Sequence, residues 1–452
     1  MANPATALLN ALRQIREEGR TASELLVAYS GGLDSTCLLA CAAETRAVHG
    51  LRLRALHVDH AWSPDSQHWA QHCEAAARAL GVDCAVHRLT ARPAPGESLE
   101  AWAREQRYAL LRASAGPGTL VLTAHHQEDQ AETFLLMALR GSGAHGLAGI
   151  AARRSFGPGL LLRPFLTLPR QALEMFAKQR ALRWIEDPSN DNAGFDRNFV
   201  RSKVMPLLRQ RWPAASATLA RSARWQAELA GLEDANGAVL LEAAGPVDAT
   251  LPLAALAGLP TSSALRLLRA WLRTRQAPMP DVGRLERVLT QVVAAAADGK
   301  PMIRWGEWAL RRHGESLYLT AASVPALCAD TAWQWNTALN LPTGTLRAVQ
   351  ATGKGIAARW LEGRLLEVRA RRGGERYRRV GDSHHRSLKH LWQVAGVPPW
   401  QRNTLPLIHL DDQLLAVPGL GYAAATAPAA DEPSVMFEWE PACQAPRARE
   451  AR

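Results

Sequence analysis

The sequence predicts an α/β protein: a parallel-sheet N-terminal domain, a mainly helical middle domain and a small α+β C-terminal domain. Three observations predict it. From Leu25 to Leu139, short apolar runs alternate with amphipathic stretches. From about Ala214 to Ala297 the chain is rich in alanine and leucine at helical spacing. Beyond Lys300 the apolar runs are short, and a cluster of arginines opens a last unit near Leu365. Strand–helix alternation of the first kind argues for a parallel sheet with helices on both faces.

The elements are read in order. Leu25–Tyr29 is a buried strand and Asp34–Ala43 a helix. Leu53–Val58 is a second strand, followed by a helix over 65–80; Cys84–Leu89 is a third, followed by a helix over Ser98–Arg112. Thr119–Thr123 is a fourth strand and Glu128–Leu139 a helix. An open sheet of this kind binds ligands beyond the carboxyl ends of its strands. The segments that follow the strands are Ser30–Ser35, Asp59–His60 and Ala124–Asp129.

The pattern changes near Arg211–Pro213. Leu265–Leu272 and Leu285–Ala297 read as helices, Leu317–Thr320 as a strand, and Trp333–Pro342 as a linker or a strand pair. The expected division is 1–213, 214–330 and 360–430, with a polar, disordered tail over 441–452. No internal repeat is visible, and the stretch 215–330 carries no quotable motif.

Length and composition narrow the function. A chain of 452 residues with 47% apolar content supplies a core to each of several domains. No apolar run approaches the roughly 18 residues of a membrane span, and the N-terminus reads as an amphipathic helix, not a secretory signal. Six cysteines without a C-x-x-C pair give neither a disulfide framework nor zinc spacing, which fits a reducing cytoplasm. Cys37 and Cys41, four apart on the helix that follows Ser30–Ser35, face the protein core. A net charge of +11 fits a polyanionic partner such as nucleic acid, or a generically basic surface.

The strongest local feature is Ser30-Gly31-Gly32-Leu33-Asp34-Ser35, between a strand and a helix. Paired glycines let the backbone approach an anion, and successive amides at a helix N-terminus form a nest for phosphate. An ordinary strand-to-helix turn is the plainer alternative. No G-x-x-x-x-G-K-[ST] occurs, and Gly141-x-Gly143-x-x-Gly146 follows a helix and is not a dinucleotide site. His57, Asp59, His60, His125 and His126 match no metal-binding spacing, so no metal centre is expected there. The segment SGGLDS resembles the PP-loop of the ATP-pyrophosphatases, which cleave ATP between its α and β phosphates and transfer AMP to a substrate oxygen.

Four further segments resemble the tRNA(Ile)-lysidine synthases. They are AHHQEDQAET at Ala124–Thr133, ESLEAWAREQRY at Glu97–Tyr108, WIEDPSNDNAGFDRNFVR at Trp184–Arg201, and Arg371–Leu407 with GGERYRR and SLKHLWQVAGVPPWQRNTLPLI. The family usually has aspartate where this chain has Glu128. The resemblance implies ATP, with magnesium, and ligation of free lysine to carbon 2 of the wobble cytidine of CAU-anticodon tRNA(Ile). Ser30, Gly31, Gly32, Leu33, Asp34, Ser35, His57 and His125 would hold the nucleotide. Asp34, Asp129, Glu132, Arg104 and Arg197 would be catalytic, with Asp34 a candidate for the magnesium.

Asp129 and Glu132 share a helix face opposite Ala131, Phe134, Leu135 and Ala138, which turns the acids toward the crevice. There they suit a lysine ammonium, or act only as acids favoured in a first helical turn. Arg104 with Arg107, and Arg197 with Arg201, also share faces. Which of them meets ATP, lysine or tRNA stays open. Arg371, Arg372, Arg376, Arg378, Arg379, Arg386 and Lys389 would grip tRNA phosphates. Two alternatives remain: a PP-loop enzyme acting on another RNA base or a small molecule, and a non-catalytic tRNA-binding module. No protein partner is expected beyond a second copy of the chain in a homodimer.

Overall fold

The computed structural model describes residues 3–442 apart from 63, 95, 97, 187–195, 246–249, 296–298, 300, 324 and 328. Glu97, the centre of the Trp184–Arg201 segment, Cys328, Cys443 and residues 443–452 of the expected tail over 441–452 lie outside the described residues, whereas Pro441 ends a strand and Ala442 N donates to the Thr343 carbonyl at 2.9 Å. The chain divides into two compact units, the first ending at Glu233 and the second beginning at Asp234.

The first unit runs α1 (Pro4–Glu17), β1 (Glu24–Ala28), α2 (Leu33–His49), β2 (Arg52–Asp59), α3 (Ser66–Ala79), β3 (Asp83–Arg88), α4 (Leu99–Ala113), β4 (Thr119–Leu122) and α5 (Gln127–Leu139). Then come α6 (Ala144–Leu147), β5 (Arg153–Phe156), β6 (Gly159–Leu162), α7 (Arg170–Gln179), α8 (Asp196–Phe199), a π-helical turn at Val200–Val204, and α9 (Met205–Arg211). The long α10 (Ala215–Ala243) contains the division between units.

The sheet order is β3-β2-β1-β4-β6-β5, parallel except for the antiparallel edge strand β5. Side chains alternate across it, as strand geometry requires. Leu25 and Val27 of β1 face a core that includes Leu8, Leu38 and Phe176 of α1, α2 and α7. Leu26 faces the opposite core, with Leu111 of α4. Burial on both faces explains why these strands read as continuous apolar runs rather than as alternating ones.

In the second unit, β7 (Thr250–Pro252), α11 (Thr261–Thr274), α12 (Val282–Arg287), β8 (Met302–Trp305), β9 (Trp308–His313) and β10 (Ser316–Ala321) enclose one core, with sheet order β7-β10-β9-β8. The strand-like run at Leu317–Thr320 lies on β10. Trp271, fully buried on α11, is among its largest side chains.

The rest follows as β11 (Thr331–Trp333), β12 (Leu339–Leu341), β13 (Gly344–Thr352), β14 (Ile356–Ala357), β15 (Leu366–Arg369), β16 (Arg376–Tyr377), β17 (Arg386–Ser387), α13 (Leu388–Val394), β18 (Leu407–Leu410), β19 (Gln413–Val417), β20 (Gly421–Tyr422) and β21 (Pro433–Pro441). Two sheets, β11-β15-β18-β19-β20 and β12-β13-β21-β14, share a core around Trp333, Leu346 and Ile408. Trp333–Pro342 is thus a pair of short strands in two different sheets. These strands extend to both sides of the 360–430 span that the basic cluster suggests.

Candidate active site

The chain steps from β1 outward through β2 to β3, then returns to place β4 on the other side of β1. That reversal opens a crevice at the carboxyl edge, between the turn after β1 and the turn after β4. Both turns carry chemistry.

The first is the PP-loop. Gly31 adopts φ +85°, and a Cβ there would stand 2.7 Å from Cys73 Sγ and 3.0 Å from Ile185 Cδ1. Its carbonyl accepts from Ile185 N at 2.9 Å, and the Gly32 carbonyl accepts from Thr36 N at 3.0 Å and Ser35 Oγ at 3.1 Å. Ser30 Oγ and Ser35 Oγ lie 3.0 Å apart. No side chain caps α2, so its first-turn amides remain available to an anion. The Leu33 side chain is buried in the core, leaving only its main chain for a ligand. Beside the loop is a cavity of about 470 Å³, lined by Tyr29, His57, Asp59, His60, Trp62 and others, a size usual for small-molecule sites. Buried His57 donates from Nδ1 to the Tyr29 carbonyl at 3.0 Å, and burial lowers its pKa, so it is neutral.

The second turn carries His125 and His126. His125 Nδ1 lies 3.1 Å from Thr123 Oγ1, and burial holds its pKa well below the ordinary histidine value. His126 is the opposite case. Its Nε2 is 3.6 Å from both Asp34 Oδ2 and Asp129 Oδ2, and its Nδ1 is 3.0 Å from Glu128 Oε2. Burial opposes its charge, but bonds to Asp34 and Glu128 and the Asp129 charge outweigh it, and the pKa is pushed up to about 10. An imidazolium therefore joins the PP-loop to α5.

Asp129 and Glu132 anchor a second charged group. Arg197 Nη2 donates to Asp129 Oδ1 at 2.7 Å, and its Nε donates to Glu132 Oε2 at 3.1 Å. Arg201 donates from Nε to Glu132 Oε1 at 2.8 Å and from Nη2 to Asp129 Oδ1 at 3.0 Å. Asp129 Oδ2 also accepts from the His126 main-chain amide at 2.9 Å, closing a capping box on α5. Burial alone would raise the Asp129 pKa; His126 and Arg197 instead hold it well below the usual carboxylate range.

A model of the PP-loop domain matches residues 4–208, one of the TilS substrate binding domain matches 251–318, and one of the TilS substrate C-terminal domain matches 366–439. A tRNA(Ile)-lysidine synthase of Methylococcus capsulatus is 41% identical, over 92% of this chain and 96% of its own length. This chain belongs to the tRNA(Ile)-lysidine synthase family. Relatives of the same name are 42% identical in Alkalilimnicola ehrlichii, over 89% of this chain and 91% of theirs, and 38% identical in Salmonella typhimurium, over 92% and 96%.

Within this member of the family, the expected orientation of α5 needs correction. Asp129 and Glu132 do not face open crevice: they are 8% and 2% exposed, while Phe134 and Leu135 are only half-buried and Ala138 is exposed. Two adjacent buried anions need cations, and Arg197 and Arg201, one helical turn apart, provide them. Arg104 is exposed and leans on Tyr108, its guanidinium 5.0 Å from the ring centre.

The C-terminal basic cluster is more neutralised than its composition implies. Arg372 pairs with Asp330, Arg379 with Asp382 at 3.0 Å, and Arg386 lies 3.9 Å from Asp382. Arg371 lies over buried Trp392, at 5.2 Å. Arg376 donates to the His385 carbonyl at 3.0 Å, and Arg376, Arg378 and Lys389 are exposed. Sequence reasoning placed His126 in the wall of the nucleotide crevice but missed its bridge between Asp34 and the acids of α5, and it did not reach β5 and β6. The signal for β6 was present: Leu160, Leu161 and Leu162, ending at Arg163-Pro164.

Proposed function

We propose that this crevice ligates lysine to the wobble cytidine of tRNA(Ile) with a CAU anticodon, at the expense of ATP. One observation carries the reading: Asp34 of the PP-loop and Asp129 of α5 approach the same His126 nitrogen, each at 3.6 Å. Loop and acids therefore share one reaction centre.

The amides at the start of α2 and the hydroxyls of Ser30 and Ser35 hold the pyrophosphate part of ATP. The cytidine oxygen on carbon 2 attacks the α phosphorus, an O–P bond forms, and pyrophosphate leaves. Arg104 and Arg197 supply positive charge as negative charge develops on the phosphoryl oxygens. The lysine ε-ammonium gives up a proton to water, the neutral amine then attacks carbon 2, and AMP departs with the former cytidine oxygen. His57 and His125, both neutral, shape the nucleotide site without adding charge.

Asp129 and Glu132 receive the ammonium, and since Arg197 and Arg201 already occupy their oxygens, it enters by exchange with a guanidinium. The depressed pKa of Asp129 suits it to holding the ammonium, not to taking its proton. Magnesium fits Asp34, whose Oδ1 is buried without a hydrogen-bond partner and is the hard oxygen ligand this ion takes. Bound there, it would screen the carboxylate from the phosphates. Arg371, Arg372, Arg376, Arg378, Arg379, Arg386 and Lys389 orient the tRNA through its phosphates.

The test combines purified protein, ATP, labelled lysine and CAU-anticodon tRNA. Label should enter the RNA only when the wobble base is cytidine. Pyrophosphate release independent of tRNA would point to a ligase for another substrate, and tight tRNA binding without turnover to a binding module.

A further inference from the structure

The carboxyl edge holds a buried arginine that the reaction above does not employ. β6 pairs in parallel with β4, Leu162 beside Leu122, so Arg163 leaves the sheet level with Thr123, two residues before His125. Its backbone is fixed, because Arg163 N donates to the Ala152 carbonyl at 2.8 Å and Thr123 N donates to the Leu162 carbonyl at 3.1 Å.

The Arg163 side chain is buried, at 6% exposure for the residue. Its Nη1 donates to the Ala151 carbonyl at 2.6 Å, and its guanidinium lies near the Tyr108 phenol, whose oxygen accepts from Arg104 Nη2 at 3.4 Å. Its Nε is buried with no partner. Among the described residues, no carboxylate forms an ion pair with it. Three more guanidiniums surround the same ring, Arg104 at 5.0 Å, Arg154 at 5.3 Å and Arg107 at 6.0 Å from its centre. Arg163 and Arg104 also lie close enough to His125 to oppose its protonation.

Buried charge is normally paired. Arg197 and Arg201 obey that rule through Asp129 and Glu132; among the described residues, Arg163 meets only a carbonyl, a phenol and other cations. The missing counter-charge is an anion that arrives from outside.

We propose that Arg163, with Arg104 across the Tyr108 ring, binds a phosphoryl oxygen at the β6 end of the crevice. This site rests on the crevice being the reaction centre. A phosphoryl oxygen reaches it from ATP or from the phosphodiester beside the target nucleotide.

Arg163→Met and Arg163→Gln in the full chain distinguish these sources. ATP affinity is measured calorimetrically without tRNA, and tRNA affinity by filter binding over a range of NaCl. If the site takes nucleotide phosphate, ATP binding weakens by about tenfold to a hundredfold, the range expected for a lost charged hydrogen bond, and tRNA binding holds. If it takes RNA phosphate, ATP binding holds, tRNA binding weakens, and the slope of log K against log salt falls by about 0.7–0.9. Arg163→Gln keeps a donor toward Ala151 and carries the test should Arg163→Met melt early. A folded variant with wild-type affinity for both ligands and an unchanged slope overturns the proposal. Asp34→Asn, assayed in parallel, separates the two readings. Full lysine incorporation by Asp34→Asn sinks the crevice itself, whereas an inactive Asp34→Asn beside unaltered Arg163 variants sinks the Arg163 site alone.

Discussion

Asp129 and Glu132 are buried within one helical turn of each other, and their repulsion is offset by Arg197 and Arg201. Removing one cation strands the acids. Arg201→Met should cost about 2–4 kcal/mol in urea denaturation, less than a fully buried pair because Arg201 keeps some solvent contact. Arg104→Met should cost almost nothing there. Asp129→Asn should raise the KM for lysine more than that for ATP; an equal loss of ATP-dependent pyrophosphate exchange without lysine would assign the acids to the arginines instead.

Glu24 gives a pH test away from the crevice. The Arg54 guanidinium, at 2.7 Å, overcomes the effect of burial and holds the carboxyl below its ordinary value of 4.5. A depressed carboxylate stabilises the fold fully above 4.5 and ceases to as pH falls through the lower folded value. Glu24→Gln should therefore be about 1 kcal/mol less stable than wild type at pH 7, and that gap should close in acid. The acids and arginines of the crevice were legible as residue types at fixed spacing. Their pairing was not, because Arg197 comes from 68 residues beyond Asp129 and nothing local to α5 announces it.

Among the elements, β1 through α5 were legible because short apolar stretches, continuous in β1 and β4 and interrupted by polar residues in β2 and β3, each precede a longer helical pattern. β5 escaped because only Phe156 of its four residues is buried, and β6, although an apolar run, follows β5 with no helix between them, so the strand–helix alternation does not mark it. β13 escaped for the same reason as β5: most of its nine residues are not buried, so neither an apolar run nor a clean alternation marks it. The PP-loop was legible by composition, but not the reason that its glycine is required. A methyl at position 31 meets both a left-handed backbone and the Cys73 sulfur. Gly31→Ala should destabilise the protein by about 1–3 kcal/mol and abolish ATP binding in the same titration, whereas Gly32→Ala, with no contact under 3.7 Å, should retain the fold.

For the whole molecule, net charge is a poor guide to where a polyanion lands. The chain carries +11, yet Asp330 and Asp382 compensate part of the densest basic segment. Arg378→Ala with Lys389→Ala should lower the salt slope of tRNA binding by about 2. Arg379→Ala, which also releases Asp382, should lower it less. Fold class was legible from shifts in composition, but the reach of the last sheets was not, because strand pairing across a long separation leaves no periodic trace.

That pairing has a consequence in the order of synthesis. β21 hydrogen-bonds along all nine residues of β13, with most of the C-terminal region translated between them. β13 must therefore leave the ribosome as an unmatched edge and wait for its mate. A stalled or prematurely terminated message would release a chain whose first unit has all its strands, while this exposed ribbon can recruit a neighbour. Completion of this sheet is therefore decided at β21.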